Sequence, residues 1–176
     1  MFSQNKSSVV PVENGVIASK NQLVTDDFSM ELPPGWEKII STVEEVSAMA
    51  TNPDEVISDV AAQKNNFKSY LAVSTDTISG QTVGEYMQLI KTELQKIAPG
   101  VVFSNENDLT INEKSARAVE IEMTQQGINF KILMVVIRGN GDDVWALSYN
   151  TVKSSWDKYI ESFADSARSF TLKRDN

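Results

Sequence analysis

The sequence predicts an α+β domain in which helices pack on an antiparallel β-sheet of about six strands, preceded by a flexible N-terminal leader. Apolar and polar residues alternate along Arg117–Thr124, which is the period of a strand with one buried face. Asn140-Gly141 separates two apolar runs, as in a tight β-hairpin. Two other segments carry apolar residues at helical spacing, so the sequence predicts helices as well as strands.

The N-terminal 27 residues are predicted to be a leader or linker. Ser, Asn, Gln and Lys dominate them, with a short strand expected near Val16–Ile17. A single domain is expected over residues 28–172. No run is long and apolar enough to cross a bilayer, since Ile132–Ile137 is the best, and the N-terminus lacks a signal-peptide pattern.

The first half of the domain is predicted to open with a β-hairpin. Phe28–Leu32 alternates as a strand, Pro33–Gly35 makes a tight turn, and Trp36–Thr42 returns as the second strand. Asn52-Pro53-Asp54-Glu55 is typical of a helix start, because it combines a cap, an early proline and two acids. This short helix would end near Lys64, with Val56, Ile57 and Val60 facing the core.

The second half is predicted to be a helix, a strand meander and a final helix. Thr82 and Glu85 form a capping box for a helix that ends at Pro99-Gly100. Ser154 is expected to cap the last helix, whose apolar stripe includes Trp156 and Phe163. The expected strands are Tyr70–Thr77, Val101–Ser104, Leu109–Ile111, Arg117–Thr124, Asn129–Arg138 and Val144–Tyr149.

Composition narrows the function. The net charge is −8 and the sequence pI is about 4.6, which argues against nucleic acid and anionic membranes as partners. The chain has no His and no Cys, so the usual zinc sites, thiol nucleophiles and Ser-His-Asp triads are excluded. We therefore expect no cofactor, no metal site and no catalytic residue.

Carboxylates are the remaining catalytic groups, and the closest pair is Glu120 with Glu122. Two residues apart on one strand, they share its polar face, and Lys131 on the next strand would pair with them. A solvated, ion-paired face is the simpler interpretation. An enzyme would instead need two acids facing each other across a cleft.

Four residues are the candidate binding residues. Asn105, Glu106 and Asp108 lie in a predicted oxygen-rich loop, which lacks the ligand spacing and glycine of a calcium-binding loop. Trp36 follows a turn, where an exposed aromatic would serve as an anchor for a partner, but core or hairpin packing is the favoured interpretation. Trp145 and Trp156 are expected in the core.

The opening Phe-Ser-Met-Glu-Leu-Pro-Pro-Gly-Trp, Phe28 to Trp36, resembles the first hairpin of PsbP-like proteins. That superfamily includes PsbP, the Ran-binding Mog-type proteins and the bacterial DcrB-like proteins. The later order of elements, up to about Leu172, is similar too. The resemblance implies a non-enzymatic fold that binds proteins, and an extracytoplasmic domain tethered through its leader. The histidine-containing metal surface associated with PsbP has no counterpart here.

The sequence leaves several functions open. The preferred one is a protein-interaction or assembly domain that binds through a sheet edge, the 105–112 or 43–64 loops, or the Pro33–Trp36 turn. The alternative is a small-molecule or calcium-binding protein with a pocket between the sheet and a helix. A third, an unusual carboxylate enzyme, requires a concave site with two facing acids.

Overall fold

A computed structural model describes residues 10–11, 17–18 and 21–174. The helices are α1 (Val60–Lys64), α2 (Val83–Ile97) and α3 (Trp156–Arg168), with a 3-10 turn before α3. The strands are β1 (Val10–Pro11), β2 (Ile17–Ala18), β3 (Gln22–Val24), β4 (Phe28–Glu31), β5 (Glu37–Ile39), β6 (Ala48–Thr51), β7 (Tyr70–Thr77), β8 (Val102–Ile111), β9 (Lys114–Gln125), β10 (Ile128–Arg138), β11 (Asp143–Val152) and β12 (Thr171–Leu172).

The predicted α+β fold with an antiparallel sheet is confirmed. Within the described residues, the main sheet has seven strands in the order β5-β6-β7-β11-β10-β9-β8, one more than the expected six or so. β11 lies between β7 and β10, so Asn150 faces Tyr70 on one side and Ile132 on the other. A smaller sheet has the order β12-β4-β3, and β1 pairs with β2.

The two faces of the main sheet bury separate cores. One face packs against α3 and the smaller sheet, and its core is rich in aromatic residues, as predicted for Trp145 and Trp156. The other face packs against α2, with an aliphatic core around Met87, Val119 and Ile121. The sheet is therefore the middle layer of the domain.

The N-terminal boundary and the opening hairpin differ from the prediction. Gln22–Val24, in the predicted leader, pairs with β4, and Leu23 is fully buried. Trp36–Thr42 does not pair with β4; β5 pairs with β6 instead. Gly35, at φ +80°, turns the chain so that Trp36 enters the core, and this separates the two strands. The rest of the predicted leader lies outside the described residues, apart from β1, β2, Asn21 and residues 25–27.

The first helix is shorter than predicted. Asp59 is its N-cap and accepts a 2.8 Å hydrogen bond from the Ala62 amide. Glu55 does not lie in a helical first turn, because its buried carboxylate accepts from the Ser69 amide at 2.8 Å and from the Tyr159 hydroxyl. As a result Ile57 is buried, but Val56 and Val60 are exposed, contrary to the predicted core-facing stripe.

Elsewhere the predicted elements are mostly confirmed, with shifted ends. The α2 capping box forms, since Thr82 Oγ1 accepts from the Glu85 amide and Glu85 Oε2 accepts from the Thr82 amide. The two short strands predicted before β9 are one strand, β8, with a bulge. The last helix starts at Trp156 after Lys153–Ser155, so Ser154 is not its cap.

Candidate functional site

Helix α2 is buried most deeply in its first half. Val83 and Met87 are buried, Ile90 and Leu94 are half-buried, and Ile97 is 68% exposed. The helix has 15 residues and is about 22 Å long. Leu94 still packs against the aliphatic core, but burial decreases toward the C-terminal end of the helix.

Beside the C-terminal end of α2 lies a cleft of about 440 Å³ between the helix and the sheet, which we call the α2 cleft. Leu94 and Ile97 form its helical wall, and Phe67 lies at the opposite side. Phe67 packs edge to face on Phe130, with ring centroids 5.0 Å apart. The floor consists of side chains from β9 and β10, namely Ile121, Met123, Phe130, Ile132 and Met134.

Three polar side chains on β7 and β11 interrupt the apolar lining of the α2 cleft. They are Tyr70, Ser148 and Asn150. Asn150 is only 7% exposed, and its Nδ2 donates to the Ser148 carbonyl at 2.9 Å and to Ser148 Oγ at 3.0 Å. Burial raises the pKa of Tyr70 above its ordinary value, so its hydroxyl stays protonated at neutral pH. A few polar groups in an apolar cavity are typical of small-molecule sites.

None of the twelve residues that line the α2 cleft is charged. This is unusual for a chain in which 23% of residues are charged. Charged groups appear at a neighbouring depression of about 490 Å³, which shares Ile97 and Phe130 with the cleft. In this depression the Nζ atom of Lys153 lies 3.2 Å from the Glu122 carboxylate. Hydrogen bonds from Lys153 and Lys131 lower the pKa of Glu122.

The structure separates the predicted binding residues Asn105, Glu106 and Asp108. They lie on the bulged edge strand β8, where Asn105 has a φ of +50° and donates to Glu120. Glu106 instead pairs with Lys91 on α2 at 3.0 Å.

Asp108 is bound by the guanidinium of Arg117, with contacts of 2.7 and 3.2 Å. The hydrogen bond from Arg117 lowers the pKa of Asp108. Because Glu120 and Arg117 lie on opposite faces of β9, the candidate oxygens do not converge on one point. In the described part of the chain, no group of three or more acidic side chains is placed to share a cation.

Trp36, the fourth candidate, is a core residue rather than an exposed anchor. It is 1% exposed and makes edge contacts with Tyr159 and Phe163, at centroid distances of 5.8 and 5.5 Å. Its indole cannot reach a partner without unfolding of the core. The sequence around Trp36 could not show whether its indole is exposed or buried, because its packing partners belong to α3.

Glu120 and Glu122 share one face of β9, as predicted. Lys131 on β10 lies 3.4 Å from Glu120 and 3.2 Å from Glu122, and it also stacks on the Trp156 ring. This arrangement is an ion-paired surface. It does not place two acids across a concave site, which carboxylate catalysis would need.

A depression at the start of α2, of about 690 Å³, contains Arg117 and Arg138. Arg117 is occupied by Asp108, and Arg138 donates to the carbonyls of Gln81 and Gly141 at 2.9 Å. Both guanidinium groups therefore have protein partners. The α2 cleft differs in that its polar groups keep free hydrogen-bonding capacity.

The sequence-based alternative expects a pocket between the sheet and a helix but does not locate it. Helical spacing of apolar residues does not show which of them line a cavity. A weak signal exists in β11, where Ser148 and Asn150 interrupt an otherwise apolar strand on one face.

Comparison with solved structures identifies the fold. Cyanobacterial PsbP from Synechocystis sp. PCC 6803 superposes with a TM-score of 0.61, covering 83% of this chain and 86% of that protein at 13% identity. LpqN of Mycobacterium tuberculosis, involved in cell envelope biogenesis, gives 0.66 over 84% and 83%, at 12% identity. The Ran-binding protein Mog1p of Saccharomyces cerevisiae gives 0.56 over 82% and 89%, at 14% identity. The chain has the PsbP-like fold.

The PsbP-like fold is visible in the structure and not in whole-sequence comparison. No protein-family model matches the chain, and the search of curated proteins finds no match either. At these identities the likeness concerns the fold alone. Among the described residues, no helix is long and apolar enough to cross a bilayer.

Proposed function

We propose that this protein is a non-enzymatic protein-interaction or assembly domain of PsbP-like fold. The observation that carries the proposal is a concentration of exposed aliphatic side chains on residues 40–60. Seven large hydrophobic residues are exposed in the described part of the chain, and four of them lie in this segment: Ile40, Val43, Val56 and Val60. Ile40 and Val56 are 90% and 87% exposed.

The setting of the 40–60 segment suits a protein partner. It includes β6 and follows β5, which is an edge of the main sheet with unpaired backbone groups. Exposed aliphatic side chains beside a free sheet edge offer both apolar contact and backbone hydrogen bonds to a partner strand. Glu55, buried against Tyr159, holds the segment in place.

The fold neighbours support the same proposal. Mog1p is by its name a Ran-binding protein, and LpqN is involved in cell envelope biogenesis. An extracytoplasmic domain tethered through the residues that precede β3 is consistent with LpqN, the second neighbour. The absence of His and Cys supports a non-enzymatic role, since it removes the commonest acid–base and nucleophilic groups.

An affinity pull-down from the source organism tests the protein-interaction proposal. The baits are the wild-type chain, Ile40→Asp, Val56→Asp, and Leu89→Asp as a matched control on exposed α2 surface. We expect one protein to be retained by wild type and by the control, and lost at least about tenfold with both variants in the segment. Equal retention by all four baits, or no retained protein, would contradict the proposal.

A second candidate is a small-molecule-binding protein, and the α2 cleft is the observation that favours it. The cleft lies between the sheet and a helix, as the sequence-based alternative requires, but it is lined by no acid. Calcium is not favoured, because Asn105 is turned toward Glu120, whereas Glu106 and Asp108 are already paired with the cations Lys91 and Arg117. An organic ligand fits this lining better.

A further inference from the structure

We propose that the α2 cleft binds an uncharged amphiphile, an aliphatic or aromatic body with one hydroxyl or amide group, and that this group bonds to Asn150 and Ser148. The inference rests on the second candidate function and names its ligand class. It is independent of the 40–60 segment, which shares no residue with the cleft.

Asn150 carries the argument for a polar group on the ligand. Its side chain is more than nine-tenths buried, yet it lines the cleft. Both protons of Nδ2 are used, on the Ser148 carbonyl and on Ser148 Oγ. Among the described residues, no donor bonds to Oδ1, and this oxygen is not fully enclosed, so an acceptor is accessible from the cleft. A ligand donor that enters the cleft can bond to it in place of water.

Ser148 complements this acceptor with a donor. Its Oγ accepts the bond from Asn150, and its hydroxyl proton bonds to no acceptor in the described part of the chain. The pair therefore presents an acceptor and a donor side by side. A ligand hydroxyl or primary amide, which both donates and accepts, matches this pair, and the Tyr70 hydroxyl is a further partner on the neighbouring strand.

The lining decides the charge of the ligand. With no charged residue around the cleft, an ionised ligand would lose its hydration without gaining an opposite charge. A carboxylate or an amine is therefore disfavoured by the cleft, even though the protein surface carries many charges. A neutral ligand bears no such penalty.

The same lining favours a small molecule over a segment of a partner protein. An inserted peptide brings one donor and one acceptor per residue into the cleft. Apart from Gln125, only Tyr70, Ser148 and Asn150 offer polar side chains there, so most backbone groups would stay unpaired. The thioethers of Met123 and Met134 adapt to an irregular apolar body. The cleft volume, about 440 Å³, is that of a small-ligand site.

Fluorescence of N-phenyl-1-naphthylamine, an uncharged aromatic amine, provides the test. The full chain is titrated with this probe, which we expect to brighten on binding and to saturate at one site. Competition at about pH 8 then compares 1-octanol with octanoate, which is ionised there. We expect octanol to displace the probe at a concentration at least about tenfold lower than octanoate.

Three variants assign the signal to the cleft. Ile97→Glu adds a charge to the wall of the cleft at an exposed position and should weaken probe binding at least about tenfold. Leu89→Glu, on the same helix but outside the cleft, is the control and should bind the probe as wild type does. Asn150→Leu should lose the preference for octanol over 1-chlorooctane, which has no hydroxyl, because it removes the acceptor that octanol would use. Thermal melts confirm that each variant is folded.

The probe-binding experiments and the pull-down test the two proposals separately. No saturable probe binding, equal competition by octanoate and octanol, or equal binding by Ile97→Glu and wild type would each overturn the ligand class or its site. Loss of the pull-down partner on changing Ile40 and Val56 would leave these results unaffected. If Ile97→Glu instead abolished the pull-down partner, the cleft would be a protein-docking site and the amphiphile proposal would fail.

Discussion

Single residues show how far burial depends on distant parts of the chain. Trp36 follows a turn, but its ring packs on Tyr159 and Phe163 of α3. Glu55 begins an apparent helix in the sequence, but its carboxylate is buried and accepts from Ser69 and Tyr159. In both cases the deciding contacts are with residues outside the local segment.

Replacing Trp36 by Ala should destabilise the fold by about 3–5 kcal/mol, because it leaves a cavity in the aromatic core. Urea unfolding followed by circular dichroism measures the loss. Ile40→Ala is the control, at an exposed position, and should change stability by no more than about 0.5 kcal/mol. A Trp36 variant as stable as wild type would show that the indole is not part of the core.

Elements differ in how much tertiary packing supports them. α2 is buried most deeply near its start, and the capping box at Thr82 and Glu85 adds local stabilisation there. β8 is an edge strand whose bulge at Asn105 interrupts the ladder with β9. Its acids pair with Lys91 and Arg117, which suits an edge that avoids pairing with other chains.

Thr82→Ala should cost about 1 kcal/mol of folding free energy, since the Glu85 amide loses its acceptor. Thr92→Ala, in the exposed middle of α2, is the matched control and should be nearly neutral, because alanine is the better helix former. Chemical denaturation of both variants gives the comparison. Equal losses would mean that the box does not support the helix start.

At the scale of the whole molecule, the two cores make folding sensitive to alkaline pH. Burial and the Asp76 carboxylate raise the pKa of Tyr86 to about 12. Burial also raises the pKa of Tyr70, Tyr149 and Tyr159. A tyrosine whose pKa is higher in the folded state contributes stability in its neutral form. That contribution is complete below the unfolded value of about 10 and is lost as pH rises toward the folded value.

The free energy of unfolding should therefore be nearly constant around neutral pH and decrease between about pH 10 and pH 12. Tyrosinate absorbance and circular dichroism should change together, because the buried phenols ionise fully only on unfolding. Tyr86→Phe should unfold at higher pH than wild type, since it removes one of the raised groups. Tyrosine ionisation near pH 10 with the secondary structure intact would contradict this account.

The sequence by itself determined the features that depend on neighbouring residues. Strand alternation, the Asn140-Gly141 turn and the capping box at Thr82 all rest on interactions within a few positions, and all appear as predicted. Their order along the chain sufficed for the α+β class and for the PsbP-like resemblance. Composition also showed directly that the chain has no His and no Cys, which removes the usual zinc sites and thiol nucleophiles.

The tertiary structure decided everything that depends on which surfaces meet. It alone assigned β3 and β12 to β4, moved Trp36 into the core, and divided Asn105 from Glu106 and Asp108. It also formed the α2 cleft, whose lining residues come mostly from α2 and four different strands and are far apart in sequence. Contacts between segments far apart in sequence set these outcomes, and periodicity records only which side of each element is apolar.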